Sequence, residues 1–324
     1  MLSGQVMKRF HVEKPWSQAG YYETERLARF REDVIAAIVH GHLIAVSGPV
    51  GVGKTMMVNR LQDQIRAERK IIVARSLSVD KHRVTLPALV TALFLDLSGK
   101  PEMKLPGQSE RRERLLQAAV RKARKPIALF IDEAHDLNVS TLHGLKRLRE
   151  VISAGGGTLS IVLVGHPRLQ NDLRRATMEE IGHRTSKFEF SGIGDERRGF
   201  MSWILERCLE DGVEPSDVFE DAAQEYLAER LSTPLQYIEH LDRAFADAYR
   251  MGEDRVTRAI VEETVSAGLD DLDARLAQIG CGPKALSELT DARIPEIRRF
   301  LKGRLDAERT DGPATMMRRA GLPI

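Results

Sequence analysis

Gly48-Pro49-Val50-Gly51-Val52-Gly53-Lys54-Thr55 has the spacing G-x-x-x-x-G-K-[ST]. Glycines at these intervals let main-chain N–H groups turn inward around phosphate oxygens, and a helix that opens at the lysine adds its positive end. On this reading Gly48, Pro49, Val50, Gly51, Val52, Gly53, Lys54, Thr55 and Met56 line the phosphates of a nucleotide. Lys54 reaches the β- and γ-phosphates of ATP, and Thr55 ligates Mg2+. A second stretch, Ala128-Leu129-Phe130-Ile131-Asp132-Glu133, is an apolar run ending in two carboxylates. Asp132 would hold Mg2+ through water, and Glu133 would orient and polarise the attacking water. A carboxylate pair in such a place also suits a helix start; the upstream glycine-rich stretch favours the chemical role. Together the two stretches imply hydrolysis as well as binding.

Two further positions fit the same chemistry. His166, in Leu163-Val164-Gly165-His166-Pro167, follows an apolar run, where a polar group can touch the γ-phosphate or the water. The plainer alternative, which this placement favours less, is a satisfied loop histidine. Arg184, in Gly182-His183-Arg184-Thr185-Ser186, precedes another such run and could reach a neighbouring subunit's γ-phosphate, with Arg174 and Arg175 as rivals.

These residues need a frame. Five short apolar, β-branched runs lie at wide intervals: Leu43–Ser47, Lys70–Arg75, Ile127–Ile131, Leu159–Val164 and Lys187–Phe190. Helical periodicity fills 54–68, 86–98, 109–124 and 139–153, and another helix begins after the cap Thr24. Strands alternating with helices predict a parallel sheet covered on both faces. Beyond 195 the strand signals stop, and helical patterns occupy 195–210, 217–231, 234–251, 257–267 and 269–279, with Asp217, Thr257 and the pair Thr233-Pro234 as caps. The expected organisation is an arm over 1–22, an α/β domain over 23–194, a helical domain over 195–279 and a tail over 280–324. The arm is expected to be extended, and the last dozen residues flexible.

The order of these features resembles that of AAA+ ATPases. Ala128–His135 (ALFIDEAH) and Ile161–Leu169 (IVLVGHPRL) are similar to the ExeA/TniB/TnsC group within them, which includes MuB-like transposition regulators. The resemblance covers about residues 20–270. It implies an α/β AAA+ P-loop domain with a five-stranded parallel sheet of order 5-1-4-3-2, followed by a small all-helical lid. It also implies nucleotide sites shared between subunits, hence rings or helical filaments. One departure is plain: lid members often carry an Arg near the start of the third lid helix, and this chain reads Ser232-Thr233-Pro234-Leu235-Gln236 there. Lid sensing of the γ-phosphate is therefore in question, and Gln236 is only a weak substitute.

The resemblance brings duplex DNA into view. Lys81, Arg83 and Thr85 lie in a basic loop after the second strand, and Lys146 and Arg147, with Arg149, form a basic patch after Asp132-Glu133. In TnsC-like proteins, basic loops in this part of the domain track DNA phosphates, which gives salt-sensitive affinity without sequence choice. Aromatic residues make up only 5% of the chain and do not interleave with these clusters, so stacking on single strands is disfavoured. The tail offers 284–290 and 295–305, which resemble a helix-turn-helix lacking its third helix or serve as a partner-docking segment.

Composition excludes little. A formal charge of +2 neither requires nor forbids nucleic acid, and the two cysteines, Cys208 and Cys281, form no C-x-x-C pair. No apolar run approaches the ~18 residues of a membrane span, and the N-terminus lacks a secretory signal, so a cytoplasmic setting is expected. The function expected is an ATP-dependent regulator of transposition that oligomerises on duplex DNA, recruits transposase and targeting proteins, and disassembles on hydrolysis. The alternatives are a nucleotide-gated protein scaffold and an ExeA-like envelope-associated ATPase.

Overall fold

The computed structural model describes residues 2–75, 85–98, 108–173, 181–182, 185–267, 276, 281–301, 307–319 and 322. In chain order its elements are α1 (Gly4–Arg9), α2 (Glu25–Val39), β1 (Leu43–Ser47), α3 (Lys54–Glu68), β2 (Ile72–Arg75), α4 (Leu86–Ser98), α5 (Ser109–Ala123), β3 (Ile127–Ile131), α6 (Val139–Ala154), β4 (Leu159–Gly165), α7 (Arg168–Leu173) and β5 (Thr185–Glu189). They continue as α8 (Arg197–Cys208), α9 (Pro215–Val218), α10 (Asp221–Arg230), α11 (Pro234–Met251), α12 (Arg258–Ala267), α13 (Pro283–Thr290), α14 (Ile294–Leu301) and α15 (Ala307–Arg319).

The chain divides into two compact units. One comprises Thr24–Gly48 and Lys54–Phe190, the sheet unit; the other comprises Met1–Glu23, Pro49–Gly53 and Ser191–Ile324, the helical unit. The middle of the glycine-rich stretch thus clusters with the helical unit, whereas its two ends cluster with the sheet.

In the sheet unit the strands lie in the order β2-β3-β4-β1-β5, all parallel. Read from the other edge this is the expected 5-1-4-3-2. Every residue of β1, β3 and β4 is buried, as continuous aliphatic strands must be when helices cover both faces. Leu142, Leu145 and Leu148 of α6 and Leu89 and Leu93 of α4 join Leu129, Ile131, Ile161 and Leu163 in one apolar core. Ser47 pairs with Gly165, and Ile131 with Leu163, so the carboxyl ends of the three central strands finish at the same end of the sheet. The helices start where capping residues satisfy their first N–H groups: Leu27 N–H donates to Thr24 Oγ1 at 3.2 Å and Thr141 N–H to Asn138 Oδ1 at 2.7 Å.

The helical unit has a different core. Phe10, Trp16, Phe219, Tyr237 and Phe245 are each almost wholly buried together with Leu205, Leu227 and Leu241. Phe245 sits at its centre, with ring centroids 5.0 Å from Phe10, 5.1 Å from Trp16 and 5.6 Å from Phe219. The N-terminal residues, expected to be an extended arm, instead carry α1 and a 3-10 turn at Trp16–Gln18 and are part of this core. Glu13 N–H donates to the Cys208 carbonyl at 2.8 Å, which fixes the segment along α8. Asp217, expected as a cap, lies inside the short helix α9; Glu220 precedes α10 instead. Thr257 does cap its helix, accepting from Ile260 N–H at 3.5 Å.

The described C-terminal residues form three helices where two were expected. Leu286, Ile297, Phe300, Leu301, Ala314, Met317 and Leu322 share a small apolar cluster of their own. Burial of Ala314, Met317 and Leu322 orders a stretch that composition alone marks as flexible. Residues 269–279 lie outside the described residues apart from Leu276.

Candidate active site at the carboxyl ends of the strands

In the sheet unit, β1 delivers Gly48 and α3 opens at Lys54. The Gly48 N–H donates to the Gly165 carbonyl at 3.3 Å, tying the start of the stretch to the end of β4. Lys54 Nζ donates to the Gly48 carbonyl at 2.9 Å. Burial pushes the Lys54 ammonium below the usual lysine range, and the carboxylates of Glu133 and Asp132 push it back. Met56 is exposed on the first turn of α3.

β3 delivers the two carboxylates. Thr55 Oγ1 donates to Asp132 Oδ2 at 3.0 Å, and Asp132 Oδ1 accepts the Glu133 N–H at 2.9 Å. Asp132 therefore holds both the threonine of one stretch and the main chain of the other. Glu133 adopts a left-handed conformation, φ 53° and ψ 39°. For a residue with a Cβ this costs about 1–2 kcal/mol, and such strain persists where neighbours over-determine it. Here the neighbours are the Asp132 carboxylate on one side and the 3-10 turn Ala134–Asp136 on the other.

That turn brings in a residue outside the predicted set. His135 Nδ1 lies 3.3 Å from Glu133 Oε2, and its ring is 6.1 Å from that of His166. The His166 N–H donates to His135 Nδ1 at 3.4 Å. Gly165 makes the approach possible: a Cβ there would lie 3.2 Å from His135 N and 3.3 Å from Nδ1. The sequence signal was present in the His that closes ALFIDEAH, but nothing in spacing says that a 3-10 turn follows the strand and carries that ring back to Glu133.

In the helical unit, the middle of the glycine-rich stretch packs on the start of α11. The Leu235 N–H donates to the Gly51 carbonyl at 3.2 Å. Gly51 has φ +73°, and a Cβ on it would come within 2.5 Å of Leu235 Cβ, so both the backbone conformation and the close contact require glycine. Gly53 has φ +95°, and a Cβ there would meet no atom within 4 Å. Val52 is buried, and Val50 packs against the C-terminal cluster.

Gln236 is not a substitute for a phosphate-sensing arginine. It is fully buried, and its Oε1 accepts the N–H of Ser232 at 2.7 Å and of Thr233 at 3.0 Å. Its Nε2 donates to the Leu322 carbonyl. With Thr233 it completes a capping box at the start of α11, so its amide is consumed in structure.

The remaining candidate residues are placed as follows. Arg184, Arg174, Arg175, Lys81 and Arg83 lie outside the described residues. Thr85 is exposed just before α4. On α6, Arg147 is exposed, Lys146 is half-buried and 3.7 Å from Glu150, and Arg149 donates to the Gly41 carbonyl at 3.3 Å. Lys146 and Arg149 thus have intramolecular uses, and Arg147 is the member of the patch that faces solvent. The exposed side of α5 adds Arg111, Arg114, Arg121 and Lys122.

Residues 38–173, from the end of α2 through α7, match a family model for an AAA domain. The solved structures similar to this chain cover most of it. The Pyrobaculum aerophilum Cdc6p is 14% identical with a TM-score of 0.56, covering 97% of this chain and 90% of that one. The chain has the AAA+ fold. The Aeropyrum pernix ORC2 protein, solved as ADPNP-ADP complexes, is 15% identical with a TM-score of 0.54, covering 92% of this chain and 80% of that one. The Aeropyrum pernix ORC1 protein, solved in complex with DNA, is 17% identical with a TM-score of 0.51, covering 94% of this chain and 85% of that one. A comparison with curated proteins found no match. Within this AAA+ frame, Thr55, Asp132 and Glu133 stand at the strand ends where an α/β sheet binds its ligand.

Proposed function

We propose that this chain binds ATP with Mg2+, hydrolyses it, and uses that cycle to assemble on duplex DNA and leave it, as a transposition-regulator ATPase would. The observation that carries the proposal is the group at the ends of β1, β3 and β4: Thr55 and Asp132 oxygens 3.0 Å apart, Glu133 beside them, and the Lys54 ammonium on the Gly48 carbonyl. A hydroxyl and a carboxylate oxygen are hard donors of the kind that Mg2+ takes, so the donor set fits the ion. Bound there, Mg2+ would neutralise charge on the β- and γ-phosphates.

The side chains then divide the work. Lys54 leaves the Gly48 carbonyl for phosphate oxygens, where its charge is better used. Glu133 orients a water and takes its proton, and its fixed main chain narrows the positions that its carboxylate can reach. His166 stands one residue past β4, where it can report the γ-phosphate. Arg184 would serve a neighbouring subunit, so that hydrolysis requires a ring or filament. The DNA-bound and ADPNP-bound structures of similar fold support this reading, and Lys81, Arg83, Thr85 and Arg147, with Lys146 at the edge, are the proposed phosphate contacts. Transposase and targeting proteins are the partners that the resemblance of ALFIDEAH and IVLVGHPRL implies. Among the described residues no helix is long and apolar enough to cross a membrane, so the envelope-associated alternative gains no support.

Retention of duplex DNA on a filter, measured with ATP, with ADP and without nucleotide over a salt series, tests the proposal. Retention should require ATP, fall steeply with salt, and persist longest in Glu133→Gln. Equal retention with and without ATP would rule the mechanism out.

A further inference from the structure

The three C-terminal helices have an interior of their own. Leu286, Ile297, Phe300, Met317 and Leu322 share a cluster separate from the aromatic core around Phe245, and α13, α14 and α15 pack mainly on one another. Val50 of the glycine-rich stretch packs on this cluster, at a position where the motif accepts any side chain. Polar contacts reinforce the seat. Gln236 Nε2 donates to the Leu322 carbonyl. The Ser232 hydroxyl has one hydrogen and two acceptors in reach, the Arg318 carbonyl at 3.1 Å and Gln236 Oε1 at 3.2 Å. The Leu322 N–H donates to the Met317 carbonyl at 3.0 Å, which holds Leu322 against the end of α15. Ser232 and Gln236 flank Leu235, whose N–H holds the Gly51 carbonyl at 3.2 Å. Val52 lies on Gly192, where a Cβ would come within 2.6 Å of the Val52 carbonyl oxygen. Three consecutive residues of the loop thus have partners in the helical unit: Val50 the C-terminal cluster, Gly51 the start of α11, and Val52 Gly192.

We propose that α13–α15 are a strap on the phosphate loop: seated at Val50 and at the start of α11, they hold the loop in its phosphate-binding shape, and their release speeds the departure of nucleotide. A glycine-rich loop binds phosphate with several N–H groups aimed at once. The ordering this needs is met either at the moment of binding or beforehand, by contacts elsewhere. Here the strap supplies part of it beforehand. Linkage makes the effect reciprocal: bound nucleotide tightens the seat by the same factor as the seat tightens nucleotide. Because the strap has its own apolar cluster, it can leave without opening the core around Phe245. This inference rests on the reading of Gly48–Thr55 as a nucleotide site.

The test measures release of a fluorescent ADP with Mg2+ from the full chain, chased by excess ADP, in wild type, Val50→Ala, Met317→Glu, the double variant and Met316→Ala. Met317 is wholly buried in the cluster, where an unpaired carboxylate cannot stay, and Met316 is exposed. Release should quicken about tenfold in Met317→Glu and about threefold in Val50→Ala. The double variant should match Met317→Glu, because Val50 acts through the strap. Met316→Ala should match wild type. Emission of Trp16 and Trp203 checks that the aromatic core is kept; if Met317→Glu fails that check, Val50→Ala carries the test. In wild type, ADP should slow hydrogen exchange over residues 312–319. The proposal is overturned if Val50→Ala releases ADP at the wild-type rate, if the double variant exceeds Met317→Glu by the full Val50→Ala factor, or if ADP leaves exchange over 312–319 unchanged. Absence of nucleotide binding in wild type is the separate signature of failure in the underlying reading, and the proposal falls with it.

Discussion

The sheet unit and the helical unit solve the same problem with different side chains. The sheet unit buries aliphatic strands between helices and carries Thr55, Asp132 and Glu133 at the carboxyl ends of those strands. The helical unit is built around aromatic rings and a terminal segment folded back on them, and its buried Thr233 and Gln236 form a capping box. The contrast extends to ionisation. Among the described residues of the sheet unit the perturbed group is Lys54, beside the proposed chemistry, whereas in the helical unit Tyr22, Cys208, Tyr237 and Cys281 are all pushed up by burial. Arg258 of the helical unit is the exception, held up by its hydrogen bond to Glu262 on the surface.

The largest effect expected from this contrast comes from the ring at the centre of the aromatic core. Phe245→Ala removes contacts to Phe10, Trp16 and Phe219 and should cost about 3–5 kcal/mol. Both tryptophans, Trp16 and Trp203, belong to the helical unit, so their emission during urea unfolding reports that unit directly. An unchanged midpoint would remove the claim that the N-terminal segment is part of this core.

A smaller loss is expected at Gln236→Ala. The change leaves the N–H groups of Ser232 and Thr233 without their acceptor, a cost of about 1–3 kcal/mol. If Gln236 instead senses phosphate, the variant would keep its stability and lose ATP turnover, which separates the two roles in one pair of measurements.

The smallest effect is one of pH. Burial raises the Cys208 thiol to about 11 and the Tyr237 phenol above its ordinary value. Both groups are held protonated in the fold, so their contribution is intact below the unfolded thiol range and shrinks as pH rises through it. The urea midpoint read by tryptophan emission should therefore be level near pH 8 and fall between about pH 9 and 11. A midpoint that rises over that interval would contradict the burial.

The sheet unit was the more legible of the two in sequence, for a physical reason. Fully buried parallel strands are uninterrupted aliphatic runs, so Leu43–Ser47 and Ile127–Ile131 announce themselves, and Lys54–Glu68 and Leu86–Ser98 carry helical periodicity across several turns. Long helices of the helical unit were equally plain, Pro234–Met251 above all, with its cap at Thr233. The N-terminal residues were not, because a six-residue helix is too short to show a period and Phe10 and Trp16 are buried by partners far along the chain. At the candidate site the motifs exposed Lys54, Thr55, Asp132 and Glu133. They did not expose His135, whose relation to Glu133 depends on a left-handed residue and a 3-10 turn, nor the engagement of Gln236 by its own helix start.

The most direct test of the account is phosphate release by wild type and Glu133→Gln, with bound ATP measured in the same samples. The account predicts that both bind ATP, that wild type releases phosphate in the presence of Mg2+ and duplex DNA, and that Glu133→Gln releases it at least about a hundredfold more slowly. Equal phosphate release by the two proteins would contradict it.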